Sequence, residues 1–340
     1  MSQRPGVEQR LKQVVAAHPG LRQVAKWTRK FVGSSSDMGM RAAQDAERQR
    51  RLLFDPFFTE QLRSLDETLS RDPEADISKL FANVSLDIFA LLLFERPSAY
   101  PHLCSFFPRM PSEERQKEWV GNAGLPLMLE STAFVRSLTE KMAKHVKQPL
   151  AESNVLDYGF GWGRLLRLMS KFVPEQRLYG FDPWETIVDE ARALGVRGNL
   201  AVVPEYPTEL PGPKFNLIYA FSIFTHLSER CHRAVLQAFH DSLADDGIVV
   251  LTVRPASYWR HKKHVRAAEL ERSHQETGFA FEPHVKLKPG PDGEVPYGDT
   301  TISPQYVAKH WSEFELVDVD VDALSPEQIL LVLRKRRSGA

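Results

Sequence analysis

Asp157-Tyr158-Gly159-Phe160-Gly161-Trp162-Gly163-Arg164 follows the short apolar run Asn154-Val155-Leu156 and precedes the helix-like run Leu165-Leu166-Arg167-Leu168-Met169. This order predicts a strand, a glycine-rich turn and a helix. Glycines allow positive φ angles and close backbone approach, and the first turn of a helix presents N–H groups that have no intrahelical partner. The stretch therefore predicts a cradle for a nucleotide-like cofactor.

The spacing of the glycines narrows the choice of cofactor. The dinucleotide fingerprint G-x-G-x-x-G would need a third glycine at Arg164 or at Leu166, and the phosphate-loop pattern is absent as well. What remains is D-x-G-x-G-x-G, which resembles motif I of the class I S-adenosylmethionine (SAM) dependent methyltransferases. The resemblance implies that SAM is the cofactor. The loop residues expected to contact it are Asp157, Gly159, Phe160, Gly161 and Gly163. Many relatives carry a small residue or cysteine where this chain has Phe160.

A second predicted strand, Arg177-Leu178-Tyr179-Gly180-Phe181, ends in Asp182, about 25 residues after Asp157. This is close to the separation expected of a ribose-binding acid in a doubly wound fold. A carboxylate can accept hydrogen bonds from both ribose hydroxyls. The alternative for Asp182 is a helix cap, since Pro183 and Glu185 follow it, and the two roles are compatible.

Length and composition describe an ordinary globular protein. The chain has 340 residues, of which 42% are hydrophobic and 26% charged, and Lys+Arg and Asp+Glu both number 44. The balanced charge gives no indication of nucleic-acid binding. The start of the chain lacks the apolar core of a signal peptide, and no apolar run is long enough to form an integral membrane segment. Two cysteines form neither a disulfide framework nor a zinc cluster, so we expect a cytoplasmic protein.

Three regions follow one another along the chain. Residues 1 to about 110 are helix-prone, with Gly33-Ser34-Ser35-Ser36 as a loop or linker. Strands and helices alternate from about 150 to 254, and residues 255–340 hold polar loops before two last apolar runs. The apolar residues near helical spacing in the first region include Leu11, Val14, Val15, Phe54, Phe57, Phe58, Leu62 and Leu65. We therefore predict a helical N-terminal extension over residues 1–110 and a SAM-dependent methyltransferase domain over residues 111–340. The fold class is α/β, a doubly wound, mostly parallel seven-stranded sheet.

Ligands of open α/β sheets bind outside the carboxyl ends of the strands. Phe215 to Phe221 is the predicted fourth strand, and Gly247 to Arg254 is the predicted fifth. We expect the glycine loop, Asp182, the segment from Phe221 to His226 and the segment from Arg254 to Trp259 to face one cleft. Phe221 is accordingly predicted to contact the cofactor.

Other segments are similar to bacterial methyltransferases associated with polysaccharide or glycan modification. They are Gln116 to Gly124, Tyr219 to Ser228, Thr252 to Pro255 and Tyr297 to Pro304. The resemblance covers about residues 110 to 335 and implies that Trp119 and Gly121 close over the cofactor. The alternative for Trp119 is an aromatic anchor that holds the extension to the core.

A sugar hydroxyl has a high pKa, so a general base helps its methylation, and histidine is the usual base near neutral pH. His226 is the predicted catalytic base because it follows the fourth strand at the mouth of the cleft. Its alternative role is to bond a loop carbonyl at a helix start. Tyr258, His284 and Asp299 are the other candidates, predicted on loop placement to contact the substrate. Arg164 and Arg167 could contact an anionic acceptor, although packing of their stems is the simpler interpretation.

No metal is expected: His261 and His264 are three residues apart, but no nearby cysteine or carboxylate completes a site. We predict a methyltransferase that O-methylates a sugar or glycan intermediate, with a small metabolite or a protein side chain as alternative acceptors. The rival from a different class is a non-catalytic module of the same fold, whose N-terminal region docks a partner such as a glycosyltransferase.

Overall fold

A computed structural model of the chain describes residues 59–284, 293–321 and 327–336. The chain divides into two compact units, residues 1–64 and residues 65–340. Only residues 59–64 of the first unit are described. The predicted linker at Gly33 to Ser36 and the apolar positions from Leu11 to Phe58 lie outside the described residues. The domain boundary near residue 110 stays a prediction.

Helices occupy the part of the chain that precedes the sheet. They are α1 (Thr59–Arg71), α2 (Ile77–Leu80), α3 (Leu86–Glu95), α4 (Pro101–Phe106), α5 (Glu113–Val120) and α6 (Gly124–His145). α3 is apolar nearly throughout and is buried; Ser85 caps its start by accepting a hydrogen bond from the Ile88 N–H at 3.3 Å. Phe81 lies beside Phe89 and Phe107, with ring centroids 5.2 and 5.4 Å away. These rings give the helices a core of their own.

A seven-stranded sheet forms the centre of the second unit. Its strands are β1 (Val155–Tyr158), β2 (Leu178–Asp182), β3 (Asn199–Val202), β4 (Phe215–Ala220), β5 (Leu243–Val253), β8 (Phe314–Val321) and β9 (Ile329–Lys335). They lie in the order β3-β2-β1-β4-β5-β9-β8. β9 is antiparallel to both of its neighbours, and the other pairs are parallel. The predicted α/β fold, with a mostly parallel seven-stranded sheet, is confirmed.

The order of the strands reverses direction at β1 and β4, and both strands are fully buried. β1 pairs with β2 on one side and with β4 on the other, so the first crossovers leave β1 in opposite directions. A crevice opens at such a switch point, beyond the carboxyl ends of the strands. The glycine loop follows β1 and lies there.

Helices join the strands as α7 (Arg164–Met169), α8 (Glu185–Ala193), α9 (Glu229–Ser242) and α12 (Pro304–His310). α9 lies between β4 and β5, and Ser228 caps it by accepting from the Cys231 N–H at 3.3 Å. β5 begins at Leu243, four residues before the predicted start at Gly247, and its pairing with β4 is irregular between Phe215 and Leu217. A bulge of this kind accommodates the extra residues between Leu243 and Ile248 within the strand.

An insertion after β5 differs from the polar loops expected there. It contains α10 (Tyr258–His261), α11 (Ala267–Thr277) and a hairpin of β6 (Phe279–Pro283) with β7 (Gly298–Ile302). Trp259 is buried in its small core, and its indole N–H donates to the Thr301 hydroxyl at 3.0 Å. The strands of the hairpin are short and far apart in sequence, so no local pattern indicated their pairing. No helix within residues 59–284, 293–321 and 327–336 is long and apolar enough to cross a membrane.

Candidate functional site

The glycine loop adopts the backbone geometry expected of a cradle. Gly159, Gly161 and Gly163 have φ angles of +73°, +57° and +84°, a region that residues with a Cβ rarely occupy. A Cβ on Gly159 would overlap the side chain of Ile223, whereas nothing lies within 4 Å of the Cβ position on Gly161. The loop therefore leaves open space above Gly161, where a ligand can approach the backbone.

Asp182 lies at the end of β2 and is bound to this loop. Its Oδ2 accepts a hydrogen bond from the Gly161 N–H at 3.1 Å, and its Oδ1 accepts one from the Trp184 N–H at 3.0 Å. Burial raises the pKa of the carboxyl to about 6, and the two N–H groups oppose that shift. The group is mostly ionised at neutral pH, and each oxygen retains a lone pair for a ligand hydroxyl.

Asp157 ends the apolar part of β1 and is 2% exposed. Burial raises its pKa to about 8, and Arg164 acts in the opposite direction. Its Oδ2 makes no hydrogen bond to any of the described residues. Arg164 lies over the Phe221 ring, with its guanidinium carbon 5.0 Å from the centroid, and donates to the Ser131 hydroxyl at 3.1 Å. A buried carboxyl and a buried guanidinium thus stand at one end of the loop.

A cavity of about 390 Å³ opens over these groups. Seven of the nine predicted cofactor residues line it together with the predicted base His226; besides Trp119 they are Asp157, Gly159, Phe160, Gly161, Asp182 and Phe221. Gly163 and Gly121 do not line it. Gly163 begins α7, and Gly121 ends α5 with φ +75°, so each of these glycines has a backbone role.

Sequence reasoning missed several residues of the cavity wall. Trp184, Glu205 and Tyr297 line it, as does Glu130 of α6. Trp184 lies between Trp119 and Tyr297, at centroid distances of 5.4 and 5.6 Å. Trp184 could have been predicted from its position two residues after Asp182, because the chain leaves the end of β2 there and passes over the crevice. Tyr297 offered no such signal, since the hairpin brings it across the fold.

His226 lies on the far side of the cavity, held between β7 and the end of β5. Its Nδ1 is 2.7 Å from the Gly298 carbonyl oxygen, and the Gly298 N–H donates to the His226 carbonyl, also at 2.7 Å. A carbonyl only accepts, so Nδ1 carries the proton and Nε2 bears the lone pair. An Arg254 Nη2–H donates to that Nε2 at 3.1 Å. Burial, assisted by the Arg254 charge, lowers the His226 pKa to about 3.

Asp299 joins the remaining predicted substrate residues into one cluster. The Tyr258 hydroxyl donates to its Oδ1 at 2.8 Å, Arg254 donates to the same oxygen at 3.0 Å, and Lys262 binds Oδ2. His284 Nε2 is 3.4 Å from Oδ2. Burial alone would raise the Asp299 pKa, but the hydrogen bonds from Lys262 and Tyr258 hold it below its usual range. Tyr258, His284 and Asp299 are therefore brought together beside His226, one layer behind the cavity wall.

His226, His284 and Asp299 offer ligand atoms within 4.8 Å of one another, a spacing that could hold a metal ion. Lys262 and Arg254 already occupy both carboxylate oxygens of Asp299. A divalent cation would have to displace one of these positive charges, so the arrangement does not favour a metal. His261 faces Glu327 at 3.6 Å, and His264 accepts from the Arg266 N–H at 3.2 Å. These two histidines therefore have different partners and do not share a ligand position.

Arg167 and Trp162 serve the core. Arg167 is buried, lies over the Trp162 ring and donates to the Arg109 carbonyl at 2.7 Å. Burial lowers its pKa to about 9. Neither side chain is part of the polar cluster around Asp299.

The geometry defines a class of protein: an open α/β fold with a cofactor cleft at its topological switch point, where an acid at the end of β2 is bound to a glycine loop after β1. A family model described as a methyltransferase domain matches residues 130–287. No curated protein matches the sequence of the chain.

Solved structures with a similar fold include several methyltransferases. A SAM-dependent methyltransferase from Clostridium acetobutylicum is 13% identical, with a TM-score of 0.44, over 66% of this chain and 97% of that one. Magnesium protoporphyrin IX methyltransferase from Synechocystis, with bound S-adenosylhomocysteine (SAH), is 16% identical, with a TM-score of 0.41, over 66% and 93%. The CcbJ methyltransferase from Streptomyces caelestis is 17% identical, with a TM-score of 0.40, over 64% and 100%.

These identities and TM-scores are low, so the assignment rests on the domain match and on the site. Asp182, the positive-φ glycines and the open space above Gly161 fit a nucleoside, and the buried Asp157 has an oxygen without a partner among the described residues. Residues 130–287 are therefore a methyltransferase domain, and the site fits SAM as its cofactor.

Proposed function

We propose that the protein O-methylates a sugar or glycan intermediate, with His226 as the group that receives the hydroxyl proton. The observation that carries the proposal is that His226 lines the same cavity as Asp182 and the glycine loop. Its only ring proton is held by the Gly298 carbonyl, so its other nitrogen is the basic one.

Cofactor binding follows from the cavity wall. Asp182 would accept hydrogen bonds from the ribose hydroxyls, because its carboxylate is buried and ionised. Trp184 offers a ring face for the adenine, and Glu205 offers a carboxylate for its exocyclic amine. Asp157 and Arg164 would hold the charged amino-acid end.

Bound SAM supplies a methyl group that its sulfonium already activates, so the protein mainly has to align the acceptor and exclude water. The His226 ring is fixed by Gly298 and is stacked on Tyr297, with ring centroids 5.0 Å apart and an interplanar angle of 8°. A ring fixed in this way holds Nε2 in one orientation at the cavity wall. Burial, assisted by the Arg254 charge, lowers the pKa of His226. The Arg254 N–H also occupies Nε2, so this nitrogen becomes a useful base only when Arg254 turns away from it.

The choice of a sugar rests on the sequence resemblance and on the polar character of the cluster behind the cavity. The cluster reaches the cavity through His226 and Arg254, whose nitrogen atoms can bond a molecule rich in hydroxyls, and Tyr258, Asp299 and His284 lie behind these two side chains. A small metabolite or a protein side chain with a hydroxyl group would use the same groups, and they remain alternative acceptors. Site chemistry, and not the fold, decides among them.

The test is a methyl-transfer screen with labelled SAM over sugars, glycans, small hydroxylated metabolites and peptides. His226→Ala is compared with His261→Ala, in which an 81% exposed histidine changes in the same way. We expect turnover to fall by about 10²–10⁴-fold in His226→Ala alone, with SAH affinity unchanged in both variants. Equal turnover in the two variants would remove His226 as the base. No transfer to any acceptor by a SAH-binding protein would favour the non-catalytic module, for which a glycosyltransferase partner was predicted.

A further inference from the structure

Two permanent cations share one carboxylate behind the cavity. Arg254 donates to Asp299 Oδ1 at 3.0 Å, and Lys262 binds Oδ2. Asp299 is the only carboxylate that the described residues place in an ion pair with either cation. The cluster therefore keeps one positive charge in excess, before any histidine is protonated.

Both cations have access to a ligand. Arg254 lines the cavity, and Lys262, which is joined to it through Asp299, lies outside the cavity wall with 42% of its side chain exposed. The Nε of Arg254 is buried and makes no hydrogen bond within the described part of the chain. A guanidinium presents its N–H groups as a fork that matches a carboxylate or a phosphate in two bonds, and the present partners of Arg254 leave that fork incompletely used.

One of these partners is His226. The Arg254 Nη2–H occupies the His226 Nε2 lone pair, so the histidine cannot accept a proton while this hydrogen bond stays in place. Any anion that draws Arg254 toward itself would release that lone pair. The same movement removes a positive charge from the imidazole and leaves Asp299, whose Oδ1 is 3.6 Å from Nδ1, as the facing charge.

We propose that the acceptor carries a carboxylate or a phosphate group that binds Arg254 and Lys262, and that this binding frees His226 Nε2 to serve as the base. The inference rests on the proposed function and specifies its substrate class: an acidic sugar or a sugar phosphate in preference to a neutral one.

The chemical step balances with the groups described. The acceptor hydroxyl gives its proton to His226 Nε2, and its oxygen forms a bond to the methyl carbon as the carbon–sulfur bond breaks, with that electron pair remaining on sulfur. Nδ1 keeps its own proton, which it donates to the Gly298 carbonyl, and Asp299 faces the resulting imidazolium. An acceptor without an anionic group leaves Arg254 on Nε2 and is methylated slowly.

The first experiment measures anion binding to the full chain saturated with SAH. Glucuronate and inorganic phosphate are titrated at constant ionic strength, with glucose as the neutral probe. Lys262→Gln is compared with Lys263→Gln, which removes an exposed charge next in sequence. We expect both anions to bind the wild type and Lys263→Gln, and to bind Lys262→Gln about tenfold more weakly. Equal binding to the two variants, or no binding to any, would overturn the inference.

The second experiment reads the histidine directly. The ¹⁵N signal of His226 Nε2 is assigned with His226→Gln. When phosphate is added, its chemical shift should move toward that of a ring nitrogen whose lone pair has no hydrogen-bond donor, while the shift of Nδ1 should remain that of a protonated nitrogen. Unchanged signals at saturating phosphate would contradict the release of His226 Nε2 by an anion. Loss of the Nδ1 proton on addition of Zn²⁺ alone would contradict it too, and would favour a metal site. SAH binding separates the two levels of the account: a wild type that fails to bind SAH refutes the proposed function, whereas SAH binding without anion binding refutes this inference alone.

Discussion

Replacing Asp182 by asparagine tests cofactor binding at its most constrained point. Both carboxylate oxygens accept backbone N–H groups, from Gly161 and Trp184, and asparagine supplies only one such oxygen. Its NH₂ group would face an N–H donor, and no charge would remain for the ribose. Loss of one to two charge-assisted hydrogen bonds, offset in part by the amide, should weaken SAH binding by about 10- to 100-fold, or about 1.4–2.8 kcal/mol.

The assay is calorimetric titration of SAH into the wild type, Asp182→Asn and Asp189→Asn. Asp189 lies on α8 with 63% of its side chain exposed, so its variant controls for loss of a negative charge nearby. Circular dichroism establishes that each variant is folded. An Asp182→Asn protein that binds SAH within about twofold of the wild type would refute a ribose contact at this residue.

The pH dependence of the same titration adds a second test. Burial raises the Asp182 pKa to about 6, and the ribose requires the ionised form. Protonation therefore competes with binding, so wild-type affinity should fall below pH 6, by up to about tenfold per pH unit. Asp182→Asn has no such proton to bind, and its affinity should not show this loss. Parallel curves for the two proteins would show that another group titrates.

Three further predictions concern the cavity and its loop. Trp184→Ala should weaken SAH binding by about 1–3 kcal/mol if the adenine stacks on that ring, and unchanged calorimetric affinity would exclude the stacking. Gly163→Ala should lower the free energy of unfolding in urea by about 1–2 kcal/mol or more, because the φ of Gly163 is +84° and the new Cβ would lie 2.9 Å from Val196. Gly161→Ala makes no such contact and should lower that free energy by less. A larger loss for Gly161→Ala than for Gly163→Ala would contradict the geometry. Burial raises the Asp157 pKa from 3.8 to about 8, so ionisation of this carboxyl destabilises the fold as pH rises between these values. The unfolding free energy of Asp157→Asn relative to the wild type should therefore increase with pH by up to about 1.4 kcal/mol per unit, and a difference that stays constant from pH 5 to pH 8 would show that the carboxyl does not titrate there.

The sheet and the cofactor half of the site followed from local sequence. The strand, glycine turn and helix around Gly161 are adjacent in the chain, and Asp182 lies one strand further on. The fold brings these residues together by short connections, so spacing alone predicts their contact.

The acceptor half of the site depends on contacts between distant residues. Asp299 meets Arg254 only because the hairpin of β6 and β7 folds back onto the end of β5, and Tyr297 reaches Trp184 by the same route. Nothing near Tyr297 in the sequence indicates this. The sequence likewise does not predict the partner of His226 Nε2. Whether Arg254 or solvent donates to that nitrogen depends on how the side chains are placed across the cavity.

The most direct test of the central claim is calorimetric titration of the full chain with SAH, run beside NAD. Micromolar binding of SAH, weakened in Asp182→Asn and accompanied by no binding of NAD, is the predicted result. A protein that is folded and binds neither ligand, or binds NAD as well as SAH, would contradict the assignment of this cleft to S-adenosylmethionine.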